Sequence, residues 1–144
     1  MRRLLLSIGF IATFIISFQL TGCTKDDPTP PADTSIYGLW TGTYTINSYP
    51  GLEQYFSLIL KPDGTLINDT KGDGQQHLNI GTWTLSGDQL NCHVICVYGI
   101  TTNLGVQEDF TATYNKVTGK ITNGVWKNTP PLNGSGTFQV DKVN

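Results

Sequence analysis

The chain has 144 residues, with 9 Lys and Arg against 11 Asp and Glu for a net charge of −2, and 16 glycines. Its only arginines are Arg2 and Arg3, so everything beyond them is acidic and arginine-free. That excludes an ordinary nucleic-acid binder, whose affinity rests on phosphate contacts, and a bidentate clamp for phosphate or carboxylate ligands.

In chain order, the first element is an apolar run from Leu4 to Leu20, opened by the two arginines and ending in Leu20-Thr21-Gly22-Cys23. A basic start, an apolar stretch and small residues before a cut make a secretory signal. The box resembles the lipobox of bacterial lipoproteins. That resemblance implies cleavage after Gly22, so that residues 1–22 are a signal peptide, and lipidation of Cys23 as the mature N-terminus. The alternative is an uncleaved apolar helix, which at about 17 residues lies at the short edge of what spans a bilayer. Acyl chains hold a protein to a membrane by burying about 0.8 kcal/mol per CH₂, and more than one chain makes the anchor persistent.

Residues 23–35 have no apolar pattern. Pro28, Pro30 and Pro31 with Asp26, Asp27 and Asp33 give an extended, solvated, disordered tether. Lys25-Asp26-Asp27 directly after the cysteine is similar to the export signal of surface-exposed lipoproteins in Bacteroidota, which implies an outer-membrane protein facing the cell exterior. A polar spacer with no sorting role is the other reading. Once the signal is removed, seven lysines face eleven carboxylates, and the mature chain carries a formal charge of −4.

Residues 36–144 read as one all-β domain. Thr, Val, Ile, Tyr, Phe and Trp fill short runs, and Gly, Asn, Asp and Pro punctuate them. Strands are expected near 37–47, 54–61, 64–68, 78–85, 89–99, 108–115, 119–127 and 135–142. Hairpin turns are expected at Lys61–Thr65, with Gly64 at positive φ, at Ser86–Asp88 and at Lys116–Gly119. Short turns imply sequential antiparallel pairing. A meander of this size closes into an up-and-down barrel of about eight strands, since closure removes exposed edges.

Gly38-Leu39-Trp40, Gly81-Thr82-Trp83 and Gly124-Val125-Trp126 repeat a Gly-x-Trp signature with equally spaced tryptophans. Glycine permits close backbone approach, and a tryptophan two places on fills space on the same face. This favours core packing over a row of ligand-stacking indoles. Gly38–Tyr44, Lys61–Leu66, Gly81–Leu85, Ile121–Trp126 and Gly134–Phe138 together resemble the lipocalin-like domains of Bacteroidota lipoproteins, calycin-like β-barrels. The resemblance implies a ligand-binding barrel. It also calls for a late-strand arginine packed across the first-strand tryptophan, and this domain has no arginine to supply it.

Cys92-His93-Val94-Ile95-Cys96 invites a metal reading. Strand alternation sends the two thiols to one face and His93 to the other. At about 13 Å along a strand the thiols are too far apart for shared zinc or a disulfide. Buried free thiols beside Leu90, Val94 and Tyr98 on an inward face are expected, and a bulge or turn around His93 would reopen the disulfide. Asn68–Gly74 carries a partial likeness to a calcium loop without its distal glutamate and reads as a solvated loop. Glu108 and Asp109 are adjacent and face opposite ways on a strand, which does not suit paired acid–base work. No Gly-x-Ser-x-Gly elbow, phosphate loop or dinucleotide fingerprint is present, so no catalytic residue, metal or cofactor is assigned, and the chain reads as a non-enzyme.

Two functions follow. One is a lipid-anchored barrel that binds a small apolar or glycan ligand in an interior lined from Trp40, Tyr44, Trp83, Tyr98, Phe110 and Tyr114. The other is a solidly packed structural lipoprotein whose loops engage another protein, since eight strands leave an interior that side chains can fill. An apolar cavity of about 300 Å³ or more, open at one end, is the feature that favours the first.

Overall fold

The computed structural model describes residues 34–72 and 74–143. The signal peptide, Cys23, the Lys25-Asp26-Asp27 motif and most of the tether lie outside the described residues. Eight strands, β1 (Gly38–Ile46), β2 (Tyr49–Leu60), β3 (Thr65–Gly72), β4 (Gln75–Ser86), β5 (Gln89–Tyr98), β6 (Gln107–Asn115), β7 (Lys120–Asn128) and β8 (Ser135–Lys142), pair in sequence order. All pairings are antiparallel, and β8 returns to β1 to close the barrel. Closure leaves no sheet edge unpaired, which is how a meander this short avoids presenting a template for aggregation. A single 3₁₀ turn, Thr101–Asn103, sits between β5 and β6.

The Lys61–Thr65 turn forms as expected, with Gly64 at φ 81°. Asp63 Oδ1 accepts from the Thr65 hydroxyl at 2.6 Å and from its amide at 2.9 Å. These two bonds, the hydroxyl's first, hold the Asp63 carboxyl below the usual carboxylate range.

Alternation places Trp40, Phe56, Leu58, Leu60, Leu66, Leu90, Val94, Phe110 and Phe138 in a continuous interior core. Phe56 and Phe138 stack at 4.8 Å between ring centroids, and Phe110 meets Phe56 edge-on at 5.6 Å. Gly81 shows why the Gly-x-Trp pattern suits a narrow barrel. A Cβ there would overlap the backbone of His93 and Val94 on β5, so only glycine lets the strands come together at that bend.

The two poles of the barrel differ. At one, the β2–β3, β4–β5 and β6–β7 turns meet the segment just before β1. Three consecutive carbonyls of that segment are each held by a side chain from the barrel: Thr34 by the Tyr114 hydroxyl, Ser35 by Lys142 Nζ at 2.6 Å, and Ile36 by the Trp40 indole at 2.9 Å. With Ile36 buried beneath them, these bonds plug that end. At the other pole the β1–β2, β3–β4, β5–β6 and β7–β8 connections surround an open mouth.

Three expectations are corrected here. Asn68–Gly72 is strand rather than loop: β3 runs to Gly72 in register with β2 and β4. Asn68 and Thr70 point inward and are buried, so the alternation continues with polar residues on its inner positions. β2 likewise starts at Tyr49 rather than near 54. Tyr98 does not share the inward face of Leu90, Cys92 and Val94. Leu78 pairs with Tyr98 while Asn79 pairs with Cys96, so Val97 is an extra residue that turns Tyr98 outward, 62% exposed.

Candidate functional site

The open mouth holds a cavity of about 170 Å³. Its walls are set by the strand ends. Tyr44 from β1, Phe56 from β2 and Trp126 from β7 supply aromatic surface, and Asn79, Cys96, Glu108 and Asn128 supply polar atoms. Ring centroids lie 6.1 Å apart for Tyr44–Phe56 and 6.0 Å for Tyr44–Trp126. The Tyr44 hydroxyl donates to Gln54 Oε1 at 3.0 Å, and the Trp126 indole donates to the Thr45 carbonyl at 2.9 Å. Both rings are therefore held by their polar ends, with aromatic surface left to the cavity.

Trp126 reaches the interior through a bulge. The β6–β7 register shifts between Thr111 and Thr113, and Asn123 takes φ 55°. The extra residue lets Ile121 and Trp126 both face inward, although they are an odd number of places apart. Simple alternation conceals this.

Beneath the rim lies a buried polar ladder. Asn79 Nδ2 donates to Asn68 Oδ1 at 2.6 Å, and Asn68 Nδ2 donates to the Ser57 carbonyl at 2.9 Å. Opposite it, Glu108 and Asn128 are direct cross-strand partners. Among the described residues Glu108 makes no side-chain hydrogen bond or ion pair, and burial lifts its carboxyl to about 7. The buried Oδ1 of Asn128 likewise has no donor. Across the mouth, the Asn103 amide lies 3.0 Å from Nε2 of His77, pinning the 3₁₀ turn to β4. Among the described residues the cavity wall contains no lysine.

Of the six expected lining residues, Tyr44 alone lines the cavity directly. Trp40, Trp83, Phe110 and Tyr114 are buried in the packed core, Phe110 supporting the floor through Phe56. Tyr98 is outside. Trp126, Glu108 and Asn128 were not among the expected set.

Cys92 and Cys96 are both buried on the inner face and unbridged. Burial drives the Cys92 thiol up to about 12 and raises that of Cys96, the latter also through the neighbouring Glu108 charge. His93 is on the outer wall, its Nδ1 2.8 Å from Asp109 Oδ1, with Lys127 Nζ 4.0 Å from the other carboxylate oxygen. Glu108 and Asp109 thus face opposite sides of the wall. Among the described residues no group of three His, Cys, Asp or Glu side chains could hold a metal ion, and no helix is long and apolar enough to cross a membrane.

The fold and mouth define a closed, eight-stranded, up-and-down antiparallel barrel with one open end. Comparison with protein-family models, curated proteins and solved structures finds no match to this chain.

Proposed function

We propose that this chain is a lipid-anchored, lipocalin-like binding protein of the outer membrane, facing the cell exterior, whose barrel mouth takes one compact, ring-sized ligand and which carries out no catalysis. The observation that carries the binding reading is the cavity of about 170 Å³ at the open pole, walled by Tyr44, Phe56 and Trp126. It falls below the roughly 300 Å³ expected of a drug-sized pocket, so a long acyl chain is a poor fit. A cavity near 150 Å³ is nonetheless enough for a six-membered ring. The anchor rests on Leu20-Thr21-Gly22-Cys23 and the outward sorting on Lys25-Asp26-Asp27.

Two measurements test the reading. Small ring compounds titrated into the purified protein should shift the Trp126 indole and Asn128 amide resonances; a cavity that no compound perturbs removes the binding reading. Cys23→Ser should lose fatty-acid labelling and stable membrane attachment. A wild-type protein that takes up no fatty acid removes the anchor.

A second reading, contact with another protein, is favoured by the outer wall. Leu39, Ile59, Ile67, Ile80 and Ile95 are successive cross-strand partners from β1 to β5. They form an outward apolar row in which Ile80 is 45% exposed. A photo-crosslinker at position 80 should then give a discrete adduct in cells that one at position 125, on the far wall, does not.

A further inference from the structure

We propose that the mouth cavity selects a small organic cation, an ammonium group carried on a ring-sized body, held between Glu108 and Asn128. The inference deepens the binding reading above and rests on it.

The unmatched groups of the cavity ask for a donor. Glu108 and Asn128 are directly opposed across β6 and β7, a spacing that puts their Cβ atoms about 5 Å apart. Both line the cavity and carry acceptors: the half-buried Glu108 carboxylate makes no side-chain hydrogen bond or ion pair among the described residues, and the buried amide oxygen of Asn128 has no donor. An ammonium carries up to three N–H donors on one atom and can satisfy both at once. A neutral hydroxyl has one proton to give.

The charge balance points the same way. Among the described residues the cavity wall has a carboxylate and no lysine, and the sequence beyond Arg3 has no arginine. An ionised carboxylate in a partly desolvated site is costly when it stands alone and favourable when a cation joins it. The remaining wall supplies ring surface from Tyr44, Phe56 and Trp126, whose negative faces also attract a cation within about 6 Å. A metal ion is a poor alternative, because the described residues give it no third ligand of the usual kinds.

Binding should then be linked to the Glu108 proton. The group titrates near 7, so at neutral pH part of the population is protonated, and an incoming ammonium must displace that proton. Among the described residues the other titratable groups facing the cavity are His77, Cys96 and Tyr44. Cys96 is pushed up by burial, and Nε2 of His77 is engaged by Asn103.

The test uses the purified protein with four probes: benzylamine, benzyl alcohol, benzoate and methyl glucoside, followed by the Trp126 and Asn128 resonances and by calorimetry in two buffers of different ionisation heat. Benzylamine should bind at least about ten-fold tighter than benzyl alcohol, with proton release at pH 7, and benzoate should not bind. The amine-to-alcohol ratio should grow from pH 5.5 to pH 8. Glu108→Gln should erase the preference for the amine over the alcohol. If benzyl alcohol or methyl glucoside matches the amine, or the ratio is flat with pH, the cation assignment is overturned while the mouth remains a ligand site. If no probe perturbs the cavity resonances, the mouth reading itself falls. The pH series uses the wild-type protein alone, so it decides the matter even if the variant folds poorly.

Discussion

Lys142 lies over Trp40, its Nζ 5.9 Å from the centre of the indole, while the same nitrogen donates to the Ser35 carbonyl. The two residues are cross-strand partners on β8 and β1. Lys142 covers the first-strand tryptophan and ties down the segment that closes the barrel.

Trp40→Ala should destabilise the protein by about 3–5 kcal/mol, because a fully buried indole and its bond to Ile36 are lost together. Lys142→Met keeps the apolar stem and removes the ammonium, and should cost about 1 kcal/mol. Urea unfolding followed by tryptophan fluorescence measures both. A lysine variant as damaging as the tryptophan one would show that the charge, not the indole, holds the plug.

Stability should depend on the Glu108 proton. The folded-state pKa, about 7, is raised by burial above the ordinary glutamate value of 4.5, so between those values the native state binds more protons than the unfolded chain. Its contribution is therefore most favourable below pH 4.5 and is lost as pH rises through 7. Glu108→Gln should flatten that part of the profile and stabilise the protein at pH 8 by roughly 1–3 kcal/mol, allowing for partial exposure. Thermal melts of both proteins from pH 5 to 8 check the sign, and parallel profiles would refute it.

Cys92 and Cys96 should remain reduced even under oxidising conditions, since β5 keeps an unbroken register with β4 and β6 from Gln89 to Ile95 and a disulfide needs Cα atoms within about 7 Å. Native protein should react slowly with a thiol reagent. On a Cys23→Ser background, denatured protein should react with two equivalents without prior reduction. Replacing both by alanine should cost something like 1–3 kcal/mol. A bridge found by mass spectrometry would mean that β5 turns around His93.

Asn79→Ala strips the donor from the buried Asn68 Oδ1 and should cost about 1–3 kcal/mol. Replacing Asn68 and Asn79 together by leucine should cost less than the sum of the single changes, because no half-satisfied amide remains. A double-mutant cycle in urea measures the coupling; strictly additive costs would show that the two amides act independently.

The closed pole was readable in the sequence because its inner positions are apolar. Leu90 stands between Gln89 and Asn91, and Leu58, Leu60 and Leu66 sit in short apolar runs with Ile59 and Ile67 that betray their strands. The mouth was harder to read for the same physical reason. Asn68, Thr70 and Asn79 occupy inward positions there, so β3 looks like a loop past Asn68. Bulges concealed more. One extra residue at Val97 turns Tyr98 out, and another near Asn123 turns Trp126 in, and neither leaves a mark that periodicity detects. The opposite facings of Glu108 and Asp109 followed from alternation, but which one faced the interior required the closed barrel.

The plug formed by Thr34, Ser35 and Ile36 also gives the barrel a direction. The chain joins the barrel at the sealed pole, and the cavity opens at the other. An attachment made ahead of Thr34, whether an acyl group, an affinity tag or a sensor surface, pulls on the blind end and leaves the mouth unobstructed. A fusion at the far terminus does not change this, because β8 also finishes at the sealed pole, beside Trp40. Both ends of the domain can therefore be tethered while its aperture stays open to the surrounding medium.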